Sequence, residues 1–203
     1  MLNSKNLYKN QMGKKMLFSA VMGSLLMLAI QPSFALTLSG SDEEKGLAIA
    51  VESDSRNIGW NDSQTAMTMT LRNKQGDESR RELRLKSLEV QGDGDKSMTV
   101  FDSPKDVKGT GLMSYSHITK SDDQWLYLPA LKRIKRISSR NKSGPFMGSE
   151  FAFEDLSSFE VEKYEYKYLG DEKANGLDAY KSEMIPVYKH SGYSKIVVWL
   201  DKE

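Results

Sequence analysis

The chain has 203 residues and no cysteine, with 29 Lys plus Arg against 28 Asp plus Glu. No global basic bias points to nucleic acid, so any cationic function has to be local. Without cysteine no disulfide can staple the fold, and a hydrophobic core must hold it.

Four of the basic residues, Lys5, Lys9, Lys14 and Lys15, precede an apolar run at 16–30. Ser33 and Ala35 then put small residues before a cleavage point. This reads as a secretory signal peptide over 1–35 with cleavage after Ala35, because the run falls short of the ~20 residues a spanning helix needs. Export to a bacterial periplasm is the expectation. No cysteine follows the cut, which excludes an acylated N-terminal anchor. Residues 36–203 carry 25 basic and 28 acidic side chains, a net of about −3, and suit one domain.

Ser41-Asp42-Glu43-Glu44 has the form of a helix start, a serine cap followed by acids at the positive end of the helix dipole. Leu47 to Val51 supplies its apolar part, and Asn57-Ile58-Gly59 ends it. The period then changes from helix to strand. Residues 65–72 alternate with Met67, Met69 and Leu71 on one face, and Gln75-Gly76-Asp77 is a turn. Residues 79–91 alternate with Leu83 and Leu85 inward, and the slip at Ser87-Leu88 suggests a bulge. After the turn Gly92-Asp93-Gly94-Asp95, strands are predicted at 97–102, 110–118, 124–128, 132–138, 160–169, 178–185 and 193–200. Between 143 and 158 the pattern breaks and allows one short helix at most. Short strands at hairpin spacing describe an antiparallel meander, curved around a core or cavity.

Catalysis and metal binding find little support. Past residue 35 the histidines are His117 and His190, neither near a nucleophile and an acid in sequence. Gly92-Asp93-Gly94-Asp95 lacks the later bidentate glutamate of a calcium loop and reads as a hairpin turn. The expectation is a protein that is not an enzyme and takes no cofactor or metal. Met67, Met69, Met98, Met113, Met147 and Met184 are more informative, because methionine suits surfaces that accept ligands of variable shape. An ordinary β core with methionine as filler is the competing reading. Lys132, Arg133, Lys135, Arg136, Arg140 and Lys142 lie within eleven residues that contain no acid. They form either a solvated edge strand or a binder of anionic headgroups, a membrane surface or an acidic partner. Phe146-Met147, between Ser-Gly-Pro and Gly-Ser, reads as an exposed apolar pair on a mobile flap.

One long segment resembles a known family. Gln124-Trp125-Leu126-Tyr127-Leu128-Pro129-Ala130-Leu131-Lys132-Arg133, then Arg136-Ile137-Ser138, is similar to the signature of LolA-like outer-membrane lipoprotein-sorting proteins. Asn141-Lys142-Ser143-Gly144, Phe146-Met147-Gly148-Ser149 and Phe153-Glu154-Asp155-Leu156 continue it, and Phe101, Pro104 and 106–110 match upstream. The resemblance implies a mainly β (α+β) fold. Its antiparallel curved sheet would form an unclosed LolA/LolB-like barrel with an N-terminal helix and a short covering helix or loop. It also implies a periplasmic carrier of lipoprotein acyl chains or other lipid. The side chains assigned to that cavity are Met67, Met69, Leu71, Leu83, Leu85, Met98, Val100, Leu126, Leu128, Phe146 and Met147. Lys132, Arg133, Lys135, Arg136 and Arg140 are assigned to a headgroup or partner. The implied partner is a transporter of the resistance-nodulation-division type, with transient membrane-surface contact. The family pattern continues past 197–203 with further strands, so the resemblance also implies an incomplete half-barrel, a truncated product or an edge supplied by a partner.

Overall fold

The computed structural model describes residues 36–203; the expected signal peptide and its cleavage point lie outside the described residues. The first element is helix α1, Asp42–Arg56. Ser41 Oγ accepts from the Glu44 backbone N–H at 3.2 Å, and the Glu44 carboxylate accepts from the Ser41 N–H at 2.7 Å. This reciprocal capping box satisfies two amides that the first turn leaves without partners. Only Gly46, Ile49 and Ala50 of the helix are buried, so one narrow stripe makes its contact.

Six strands follow: β1 (Asp62–Arg72), β2 (Glu78–Leu88), β3 (Lys96–Ser103), β4 (Gly111–Tyr115), β5 (Asp123–Leu128) and β6 (Arg133–Ile137). They form one antiparallel meander in sequence order. A second sheet holds β7 (Tyr164–Ala174), β8 (Leu177–Pro186) and β9 (Ile196–Asp201), also in order. The sheets do not close into a barrel, and the mainly β, unclosed architecture expected from the sequence is the one observed.

Register decides which side chains share a face, because pleated neighbours alternate. Thr65, Leu85, Thr99, Leu112 and Leu126 lie abreast, and Met67, Leu83 and Phe101 form the next row on the same side. That side holds the main core of Leu83, Phe101, Val107, Leu112, Leu126, Ile137 and Phe146. The smaller sheet and α1 share a second core of Ala50, Tyr166 and Met184, lined by Val161, Tyr164, Ile196 and Val198. Gly46 permits that contact: a Cβ there would lie 2.9 Å from the backbone nitrogens of Lys167 and Tyr168.

Several strand limits differ from the sequence reading, and three of the differences have a visible cause. The β2–β3 ladder shifts at Glu82/Leu83, not at Ser87-Leu88. Leu88 stays in register opposite Asp62 and Lys96 and is half exposed, since β2 ends there. β4 stops at Tyr115 because the next residues bond elsewhere: Ser116 N–H to the Asp95 carbonyl and His117 N–H to the Asp122 carboxylate. β7 runs on to Ala174, its ladder stepping past Leu169 at a bulge that the next residue, Gly170 at φ 124°, accommodates.

A buried ion cluster joins the β4–β5 turn to two later segments. Asp122 accepts from Lys142 Nζ at 2.9 Å and Lys163 Nζ at 2.6 Å. Burial pushes its carboxyl up, but the two ammonium groups outweigh this and hold it below the usual range.

Candidate functional site

The inward face of the large sheet is filled unevenly. Over β3 to β6, the segment 143–157 folds down and closes the core. Phe146 is 1 % exposed there, with its ring centroid 5.8 Å from Phe101 and 5.7 Å from Phe153. Over β1 and β2 nothing comparable among the described residues covers the sheet, and a cavity of about 530 Å³ remains. Its apolar wall comes from Trp60, Met67, Met69, Leu83, Leu85 and Phe146, with Phe151 and Leu156 facing them from the covering segment. One end is polar, where Ser87, Ser97, Thr99, Asp95 and Ser158 gather.

Hydrogen bonds hold the covering wall. Ser158 N–H donates to Ser116 Oγ at 2.8 Å, and its own hydroxyl donates to Glu160 at 2.6 Å. Gln124, fully buried behind this wall, donates through Nε2 to the Phe153 carbonyl at 2.8 Å and to Ser114 Oγ at 3.1 Å. The β8–β9 loop latches the outside. Tyr188 and Ser191 hydroxyls and the Gly192 N–H converge on Glu154 at 2.7–2.9 Å, and Tyr193 donates to Asp155. Burial, with the adjacent Asp155 carboxylate, pushes the Tyr193 phenol up to about 12, so this latch stays protonated at neutral pH. The volume and the mostly apolar lining with a few polar groups are those of small-molecule pockets in general.

The structure groups the sequence candidates into three sets. Met67, Met69, Leu83, Leu85 and Phe146 surround the cavity together. Leu126 is buried in the core, Leu128 and Met147 pack against that core, and Leu71 lies farther along β1, off the cavity lining. Met98 and Val100 sit on the opposite face, in register with Met113 and Gly111, because Thr99 and Phe101 take the inward positions of β3. Phe146-Met147 is not an exposed apolar pair. Phe146 completes an aromatic cluster, and Arg81 Nη1 donates to the Met147 carbonyl at 2.6 Å, so the segment is packed as a wall. Periodicity could not reveal Phe151 and Leu156, which belong to a stretch without regular spacing.

The basic run also divides. Lys132, Arg133, Lys135, Arg136 and Arg140 are exposed along or beside the free edge of β6. Arg136 pairs with Asp123, whereas Lys142 is buried on Asp122 and leaves the surface charge altogether. Asp123 also reaches His117 Nε2 at 3.3 Å, while His117 Nδ1 lies 2.7 Å from Asp93. The His117 bond to Asp93, with the Ile118 and Gly94 amides, draws the Asp93 carboxyl down to about 2. No group of His, Cys, Asp and Glu arranged to hold a metal ion occurs among the described residues. No described helix is long and apolar enough to cross a membrane.

Comparison with solved structures places this geometry. A domain from Vibrio parahaemolyticus, titled as a proposed outer membrane lipoprotein-sorting protein domain, is 64 % identical. The match covers 79 % of this chain and 68 % of that one, with a TM-score of 0.77. The chain belongs to the LolA-like lipoprotein-sorting family. This LolA-like chain also matches a DUF1329 family protein from Desulfovibrio piger at 31 % identity and TM-score 0.74, over 80 % of its length and 70 % of the other's. A LolA superfamily protein from Nitrosomonas europaea shares the fold at 16 % identity and TM-score 0.55, with 81 % and 67 % covered. A family model described as "Uncharacterized protein" matches residues 93–203. No curated protein matches the chain.

Proposed function

We propose that this LolA-like protein is a periplasmic, non-enzymatic carrier that holds acyl chains of lipoproteins or lipids against the β1–β2 half of its sheet and moves them toward the outer membrane. The open apolar cavity of about 530 Å³ between Met67, Met69, Leu85 and Phe151 carries this reading. Retention needs no reaction. Each buried methylene contributes ~0.8 kcal/mol, so a ten-methylene segment gains roughly 8 kcal/mol. Immobilising the chain removes about 4 kcal/mol or more. The remainder is small enough for release at an acceptor. The polar end at Ser87, Ser97 and Thr99 suits the carbonyl or hydroxyl of a head group.

The test is uptake of a fluorescent fatty acid, combined with native mass spectrometry of protein recovered from the periplasm. Met67 is 45 % exposed, so Met67→Glu should leave stability nearly unchanged while placing a charge in the cavity. Loss of uptake is expected. Neither bound lipid nor uptake in the unaltered protein would sink the proposal.

One observation favours a second reading, an accessory subunit that docks on an inner-membrane exporter of the resistance-nodulation-division type without carrying cargo. Lys132, Arg133, Lys135 and Arg140 have no carboxylate within 4 Å among the described residues. Such cations suit an acidic partner surface. Pull-down unchanged by Arg133→Glu with Arg136→Glu excludes docking through this strand.

A further inference from the structure

The apolar cavity does not end at its polar wall. Trp60, Asp95 and Ser158 line it and also line a wider cavity of about 760 Å³, so the two adjoin. This outer vestibule lies between the last turn of α1, the turn at 92–95 and the segment 158–160. Five carboxylates line it, Asp54, Glu89, Asp93, Asp95 and Glu160, and no described Lys or Arg does. Two aromatic side chains, Trp60 and Phe159, share the lining. The end of α1 adds to the same sign, because the last carbonyls of a helix carry its negative dipole end.

The cations nearest this vestibule are engaged elsewhere. Arg56 pairs with Glu52 at 2.8 Å, Lys163 with Asp122 at 2.6 Å, and Lys96 Nζ lies 4.9 Å from the Tyr115 ring centroid. Asp93 shares His117, but the other carboxylates are held by neutral donors. The Gly59 and Asn61 amides reach Glu89, the Val90 amide reaches Asp95, and the Ser158 hydroxyl reaches Glu160. Burial, then Glu162 and Asp95, pushes the Asp54 carboxyl up. Burial also raises Glu160, with Asp95 and Asp54 adding to the rise against the Ser158 bond and Lys163. Asp54, Asp95 and Glu160 thus crowd one another from three separate segments. No group of His, Cys, Asp and Glu among the described residues is arranged to hold a metal ion, so the complementary charge is an organic one.

We propose that the cargo carries a protonated amine on its head, which lies in the vestibule near Trp60, Asp95 and Glu160 while the acyl chain follows Met67, Met69 and Leu85. This rests on the carrier reading and adds the class of head to it. The apolar cavity makes the place a site, and the vestibule decides which heads it admits. A cleft lined by one sign of charge concentrates the opposite one, and aromatic rings attract ammonium groups over their faces. A phosphate or carboxylate head meets like charge there and no base that lines the vestibule. The amine of a lipid head and the amine of an acylated peptide present the same ion to these residues.

The test is calorimetric titration of the full chain with three amphiphiles of one chain length, dodecylamine, monolaurin and laurate, each below its micelle concentration. All three should bind through the chain. Dodecylamine should bind about tenfold more tightly than monolaurin and laurate more weakly, since an exposed ion pair is worth up to about fivefold. The spread should narrow with added salt. Asp54→Asn with Glu160→Gln keeps both shapes, because the new amide can still accept from the Ser158 hydroxyl. It should lower the ratio of amine to monolaurin affinity about tenfold. Glu43→Gln with Asp178→Asn removes the same charge away from the vestibule lining and should leave that ratio in place. Two matched pairs then separate the sources: lysophosphatidylethanolamine against lysophosphatidylglycerol, and a lauroyl-lysine peptide against a lauroyl-glutamate one. Preference for the amine in either pair agrees with the proposal. Equal affinity for the three heads overturns it and leaves the carrier reading standing. An equal fall in the Glu43 and Asp178 variant does the same, since net charge alone would then explain the preference. Binding of none of the three sinks the carrier reading, and this inference with it.

Discussion

Removing the Asp122 carboxylate tests how the sheet is locked to the segments that cover it. The Asp122 and Lys142 side chains are each 5 % exposed and Lys163 is 11 % exposed, so water screens this cluster little. Asp122→Asn keeps the shape, and its carbonyl can still accept from the His117 N–H, now 3.1 Å from Oδ1. It leaves two ammonium groups buried without a counter-charge, which costs about 3–5 kcal/mol. With a urea dependence of about 2 kcal/mol per molar, the unfolding midpoint should fall by roughly 2 M. Adding Lys142→Met should recover part of the loss, because one stranded charge disappears. The pH dependence has a definite sign. The folded carboxyl is held below its unfolded value of about 3.9, so its contribution is present above that pH and is lost as pH falls through the folded value. Wild type should therefore lose stability steeply below about pH 4, and Asp122→Asn should show a shallower acid limb. Urea titrations at neutral and acid pH read both effects. A midpoint change worth less than about 1 kcal/mol, with no recovery from Lys142→Met, refutes the reasoning.

Two further outcomes follow from packing. Phe146→Ala removes a ring that is 1 % exposed between Phe101 and Phe153 and should cost about 3–5 kcal/mol by thermal or urea unfolding, while enlarging the cavity measured by ligand chain length. Gly46→Val should cost about 1–3 kcal/mol or more, because its Cβ would meet the β7 backbone at 2.9 Å and α1 must move away, seen as faster amide exchange at Lys167 and Tyr168.

Much of the fold was legible because it is local. The capping box at Ser41 and Glu44 acts within four residues, and Met67, Met69 and Leu71 alternate whatever lies above them. The bulge was misplaced because Leu83 and Phe101 are matched across strands, and Ser87-Leu88 marks only where β2 ends. Phe146 looks exposed from sequence for a similar reason. Its neighbours in sequence are turn formers, and only the folding of 143–157 onto Phe101 and Phe153 shows that it is core. In the cavity, Met67, Met69, Leu83 and Leu85 were found by strand period, whereas Phe151 and Leu156 lie where no period exists.

By itself the sequence determined the strands, their order in a meander, the helix start, and a family signature running from Gln124 to Leu156. Each is set by nearest-neighbour sterics, short-range hydrogen bonds or residue identity. Tertiary structure alone decided which face of β3 turns inward, because a pleat offers two equivalent sides until neighbouring strands choose. That choice put Thr99 and Phe101 inside and Met98 and Val100 outside. It likewise turned one basic run into a buried clamp at Lys142 and an exposed edge at Lys132 to Lys135, since charge acquires a partner only when Asp122 arrives from another segment.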